Sequence, residues 1–193
     1  MWTVEGRAYL GSVGLNDDAD QIRKETLTLV KTMDANIGRW DQELERRVKQ
    51  DELTQRLKTV PGVGAQTAFA FQTFIGEVDR FGSAKKVSSY FGLVPRERSS
   101  GETRHLGHIT KQGDGLMRPL LIEAALRATR KPGPLREYYR RMVRHKGKAK
   151  LRVAVARKLA GILYQMWKKH LTYGEFLKRE AQFAGGPVGS AGL

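Results

Sequence analysis

Residues 57–107 read LKTVPGVGAQTAFAFQTFIGEVDRFGSAKKVSSYFGLVPRERSSGETRHLG. Two devices lie back to back in this stretch. The first is Pro61-Gly62-Val63-Gly64, set between Leu57-Val60 and the apolar run Ala65–Ile75. Glycines there permit positive φ and bring backbone N–H groups close to a phosphate at the start of the next helix. The pattern predicts a helix over Glu52–Thr59, a tight turn, and a buried helix over Ala65–Ile75 ended by Gly76. The second device is Arg96-Glu97-Arg98-Ser99-Ser100-Gly101, a pair of hydroxyls among arginines. No helical period runs through Leu93–Lys111, so extended pieces or a hairpin around Ser100-Gly101 are expected. An amide grip on phosphate beside serines among arginines points to nucleic-acid strand chemistry as well as binding.

Working outward, Ser83 is placed to cap a short helix through Tyr90, with Gly92 beyond its end. Upstream, Ile22, Thr26, Leu29, Met33, Ile37, Trp40, Leu44 and Val48 recur at steps of three and four. This heptad-like seam predicts a coiled-coil arm over 18–52 that self-associates through residues 18–50. Residues 1–17 show no period and are expected to be an irregular stub. Downstream, Asp114 can cap a helix from Leu116 to about Thr129, and Pro132-Gly133-Pro134 forces a turn. Two more helices are predicted over Leu135–Arg144 and Ala149–His170, the latter with a stripe of Val153, Ala156, Leu159, Ala160, Leu163 and Trp167. Residues 174–193 read as a tail, disordered in its last part. The expected fold class is mainly α: a long coiled-coil-like N-terminal helix, a helix-hairpin-helix module, a short irregular or β-hairpin segment, and basic C-terminal helices.

The chain has 193 residues, 40% of them hydrophobic, and no cysteine, which excludes a disulfide framework and a cysteine zinc site. No run is long enough to span a bilayer, and the N-terminus has no signal-peptide pattern, so a cytoplasmic protein without membrane contact is expected. The net charge of +15 is unevenly placed. Residues 1–91 are neutral, whereas residues 92–170 hold 20 Lys/Arg against five Asp/Glu. A field so concentrated attracts polyphosphate, and nucleic acid is the expected partner.

The pieces PGVG, IGEVDRF, YFGLVP, SSG, GHITKQGD and RPLLIEAA appear in order across residues 53–128. In that order they resemble the C-terminal domain of IS110/IS116/IS902 transposases, more loosely to about Tyr173. The resemblance implies a recombinase of two parts. An N-terminal RuvC-like domain supplies an acidic tetrad for divalent metal. The C-terminal domain supplies a serine that attacks the DNA phosphodiester and forms a phosphoserine link. A helical arm joins them, and a structured guide RNA pairs with donor and target DNA. On this resemblance the chain is expected to comprise the arm and the C-terminal domain (53–173), without the metal-binding half. Mg²⁺ is then expected only with a RuvC-like domain in cis or trans, and no cofactor within the chain itself.

The resemblance places the nucleophile at the serine before glycine, Ser100, with Ser99 as its neighbouring competitor. Arg96, Arg98, Arg104 and Lys111 are the nearby cations suited to a phosphorane. Pro61, Gly62, Val63 and Gly64, together with Arg118, Lys148 and Arg152, complete the expected DNA-binding set. His105 and His108 lack a carboxylate or cysteine to complete a metal site, and Tyr138 and Tyr139 read as packing residues. Two other readings stay open: a catalytically inactive helix-hairpin-helix module that binds DNA or RNA, and an inhibitor of full-length transposase.

Overall fold

A computed structural model describes residues 3–100, 103–110, 112–145 and 147–184. The fold is mainly helical, with one two-stranded antiparallel ribbon. It divides into two compact units, Met1–Arg47 and Val48–Leu193.

In the first unit, helix α1 spans Val4–Ser12 where an irregular stub was expected. Thr3 caps it, its hydroxyl accepting from the Gly6 amide at 3.1 Å. The helix buries no residue, which is why no apolar period announces it. It is held instead by polar contacts at long sequence separation. Arg7 pairs with Asp34, and Arg23 donates to the Leu10 and Val13 carbonyls. Helix α2 runs 34 residues, Asp17–Gln50, with Asp17, Asp18 and Asp20 in its first turn, where they complement the positive helix end. Ile22, Leu29, Met33, Ile37 and Trp40 of the heptad-like seam are each more than half exposed.

The second unit is built around α8 (Lys148–Lys168). Packed against it are α3 (Glu52–Lys58), α5 (Ala84–Tyr90), α6 (Met117–Ala128), α7 (Pro134–Met142) and a 3₁₀ turn at Val78–Arg80. Helix α4 (Ala65–Ile75) packs on α3 and α6. Leu151, Val155, Leu159 and Leu163 of α8 are fully buried, each contributing about 1.5–3 kcal/mol of transfer free energy. The rings of Phe71, Phe91 and Trp167 meet in the same core, with Phe71–Phe91 centroids 5.6 Å apart. The Tyr164 hydroxyl donates to the Phe81 carbonyl at 2.5 Å, satisfying a buried group.

The caps follow the sequence closely. Asp51 accepts from Thr54, Ser83 from Lys86, and Asp114 from Leu116 and Met117. One boundary moves: Leu116 is 69% exposed, and α6 begins at buried Met117. A further helix, α9 (Tyr173–Ala184), occupies most of the expected tail. Thr172 and Glu175 form its capping box, with the Glu175 carboxylate accepting from the Thr172 amide and hydroxyl, both at 2.7 Å. These bonds, chiefly the one from the hydroxyl, hold the Glu175 carboxyl below its usual range. Tyr173 and Phe176 bury themselves in the core, and the Tyr173 amide donates to the Thr59 hydroxyl at 2.8 Å. The remainder of that tail, residues 185–193, lies outside the described residues.

Candidate nucleic-acid interface

The α3–α4 turn uses its two glycines differently. Gly62 has φ +88°, and a Cβ there would lie 2.5 Å from the Ala124 carbonyl oxygen and 2.7 Å from the Ala128 amide. Its missing side chain is therefore filled by the backbone of α6. Pro61 is half-buried and Val63 buried, so three of the four turn residues serve the fit onto α6 and the core. Gly64 is the open one: exposed, at φ −91°, with no atom within 4 Å of a would-be Cβ. It N-caps α4, whose first turn receives no side-chain cap. The first amides of a helix have no partner inside it.

The fit of Gly62 brings in a residue that the sequence did not single out. The Arg127 Cβ sits 2.9 Å from the would-be Gly62 Cβ, and its guanidinium pairs with Glu123 at 2.5 Å. Exposed Arg130 and Lys131 follow at the end of α6. The basic run before Pro132 was visible in the sequence, but its proximity to the turn depends on Gly62.

The serines lie in the ribbon formed by β1 (Pro95–Ser100) and β2 (Thr103–Ile109). Ser100 pairs with Thr103, Ser99 with Arg104, Arg98 with His105 and Glu97 with Leu106, with a bulge between Pro95 and Glu97. The two candidate serines thus occupy successive register positions at the end of β1. Arg96 belongs to β1 at the bulge; Lys111 and the connecting Gly101 lie outside the described residues.

The root of the ribbon is clamped. The Thr110 amide donates to the Val94 carbonyl at 2.9 Å. Gly113, at φ +102°, approaches α5 so closely that a Cβ would fall 2.0 Å from the Tyr90 carbonyl oxygen. Arg118, half-buried, donates to the Gly113 carbonyl at 3.3 Å and so braces the same loop.

Lys148 and Arg152 occupy a third place, the start of α8, where both are exposed one turn apart. Exposed Arg140, Arg141 and Arg144 precede them on and just after α7. Tyr138 and Tyr139 are half-buried against the core. Lys158 and Arg141 stand over the Tyr138 ring at 5.1 and 5.9 Å.

Among the described residues no three His, Asp or Glu side chains come together. Several of those on α2 and α3 are engaged with bases: Asp20 with Arg23 and Lys24, Glu43 with Arg46 and Arg47, Glu52 with Arg56. The described residues therefore do not fit a divalent cation. Nor is any helix among them long and apolar enough to cross a membrane.

Residues 54–140, which contain the turn, the ribbon, α6 and most of α7, match the family model described as Transposase IS116/IS110/IS902 family. The chain carries a transposase domain of the IS116/IS110/IS902 family. It is similar to the transposase for insertion sequence element IS1111A of Coxiella burnetii, 30% identical over 166 residues, covering 84% of this chain and 46% of that protein. A probable family 20 transposase of Pseudomonas aeruginosa is 29% identical over 157 residues, 79% of this chain and 46% of the relative. A pilin gene-inverting protein of Moraxella lacunata is 30% identical over 167 residues, 78% of this chain and 52% of the relative. The chain spans about half the length of these relatives.

Proposed function

We propose that this chain is the DNA-binding and serine-nucleophile part of a transposase. The observation that carries the reading is the ribbon within the family-matched segment, where Ser100 ends β1 opposite Thr103, next in register to the Ser99–Arg104 and Arg98–His105 pairs. In the proposed step the Ser100 Oγ attacks a DNA phosphorus. The O–P bond to serine forms, one strand P–O bond breaks, and the departing deoxyribose oxygen gains a proton as the serine hydroxyl loses one. The ribbon arginines stabilise charge developing on the phosphorane oxygens. The α3–α4 turn acts as a helix-hairpin-helix phosphate grip through Gly64 and the first amides of α4. The exposed cations on α7 and α8 hold further backbone phosphates.

The exposed apolar face of α2 supports self-association through residues 18–50, because large apolar side chains in a heptad-like row gain most by packing on a second copy. A structured guide RNA and a metal-binding RuvC-like domain, in cis or trans, complete the proposed assembly. The pairing of the acids favours a second reading, in which the chain binds nucleic acid without cutting it.

The discriminating experiment is a covalent-adduct assay with the metal-binding half, guide RNA, Mg²⁺ and labelled DNA supplied. The proposal expects a protein–DNA adduct that Ser100→Ala abolishes while binding persists, and that Ser99→Ala retains at least in part. Loss of the adduct in Ser99→Ala but not in Ser100→Ala moves the nucleophile by one residue. Binding without any adduct supports the second reading.

A further inference from the structure

Arg80, at the end of the 3₁₀ turn, is exposed yet its guanidinium stands over two rings. Its guanidinium carbon is 4.7 Å from the Phe81 centroid and 4.8 Å from that of Tyr90. The two rings meet edge-on at 5.2 Å, and Arg80 Nη2 donates to the Phe74 carbonyl at 3.3 Å. Phe81 is buried and fixed by the Tyr164 bond to its carbonyl, whereas Tyr90 is 39% exposed. The stack therefore has a rigid floor and an accessible charged surface. Its position is also defined, because the Tyr90 carbonyl is the group against which Gly113 seats the ribbon root.

The local charges suit a polyanion. Lys86 lies one turn before Tyr90 on α5, exposed, with Lys85 beside it. Of the nearby acids, Asp79 faces Lys168 at 3.8 Å and Glu77 is exposed. A planar guanidinium held in place by rings is a stacking surface for nucleobases, and such stacking tolerates any base because every base has a π-face. Bases stacked inside a duplex cannot use it.

We propose that Arg80 and Tyr90 form a stacking platform for one unpaired base of the bound nucleic acid, with Lys86 on an adjoining phosphate. The proposal rests on the nucleic-acid reading above and adds to it a preference for an unpaired nucleotide at the root of the serine ribbon. For a base that leaves the stack at the ribbon, the platform supplies a surface that replaces the lost stacking.

The test compares the full chain with Tyr90→Leu, Arg80→Lys and Tyr90→Phe, binding a single-stranded oligothymidine and a duplex of equal length at one salt concentration. Thermal melting verifies the fold of each variant, and Arg80→Lys, at an exposed position, keeps the charge while losing the plane. Tyr90→Leu and Arg80→Lys are each expected to weaken single-strand binding roughly tenfold, as for loss of one stacked base. Duplex affinity should stay within about twofold, and Tyr90→Phe should bind as the parent does. A strand with one 2-aminopurine should be quenched on binding the parent and brighter on Tyr90→Leu. Single-strand affinity unchanged in both variants, or lost equally for single strand and duplex, overturns the platform and leaves the nucleic-acid reading standing. A parent chain that binds neither oligonucleotide overturns both.

Discussion

Helices α2 and α8 carry apolar residues at the same steps of three and four, yet they end in opposite environments. Leu29, Met33 and Ile37 of α2 are each more than half exposed, whereas Leu151, Val155, Leu159 and Leu163 of α8 are fully buried. Periodicity thus identifies the face a helix will bury and says nothing about the partner that buries it. Helix α8 meets its partners within the chain, from α3, α5, α6 and α7. Among the described residues the face of α2 has no such cover, and the self-association proposed above would give it one.

The sharpest way to break this comparison is to charge the α2 face. Changing Leu29, Met33 and Ile37 together to Asp removes about 1.5–3 kcal/mol of apolar burial per site in the proposed dimer. Sedimentation should show the parent chain self-associating and the variant monomeric by a wide margin, with the thermal melt of the second unit unmoved. A parent that sediments as a monomer at high concentration removes the partner assigned to α2. The complementary change, Leu159→Ala in α8, should cost about 2–5 kcal/mol in chemical denaturation, as for a large-to-small change in a packed core. Met33→Ala should cost the isolated chain under about 0.5 kcal/mol, as at an exposed position.

The same contrast recurs within one tetrapeptide. Gly62→Val meets the α6 backbone and a positive φ, so it should destabilise the second unit by about 2–4 kcal/mol. Gly64→Val meets open space at an ordinary φ and should leave stability within about 1 kcal/mol. If the turn grips phosphate, Gly64→Val weakens DNA binding with the fold intact. Unchanged affinity would make the turn a packing device only.

The smallest effect expected is a response to pH. The Glu43 carboxyl is held at about 2 by its hydrogen bonds to Arg46 and Arg47, well below the ordinary 4.5. A depressed carboxylate contributes stability that is present in full above about 4.5 and is lost as pH falls through about 2. Helix α8 contains no Asp or Glu. Circular dichroism from pH 7 downward should therefore show an arm fragment losing helicity slightly below pH 4.5, and Glu43→Gln should remove that part of the response.

Most of the fold was legible because caps and turn residues act locally. Ser83, Asp114, Gly76 and Gly133 mark helix ends by chemistry that needs no distant partner. Helix α1 was not legible, because Arg7–Asp34 and the Arg23 bonds that hold it come from 27, 13 and 10 residues away. Helix α9 was legible in principle: Thr172-Tyr173-Gly174-Glu175 is a capping box, obscured by the glycine-rich residues that follow. At the candidate site, the ribbon around Ser100 could be anticipated from the lack of helical period. The division of labour between Gly62 and Gly64 could not, since it depends on α6 crossing the turn.

Residues 92–170 are the proposed nucleic-acid interface, and a salt titration of DNA binding tests that most directly. Affinity measured between about 50 and 200 mM salt should fall roughly 10³–10⁵-fold, linearly in log–log form, as cations on several phosphates release their counterions. A flat response, or no binding at the lowest salt, would contradict the account.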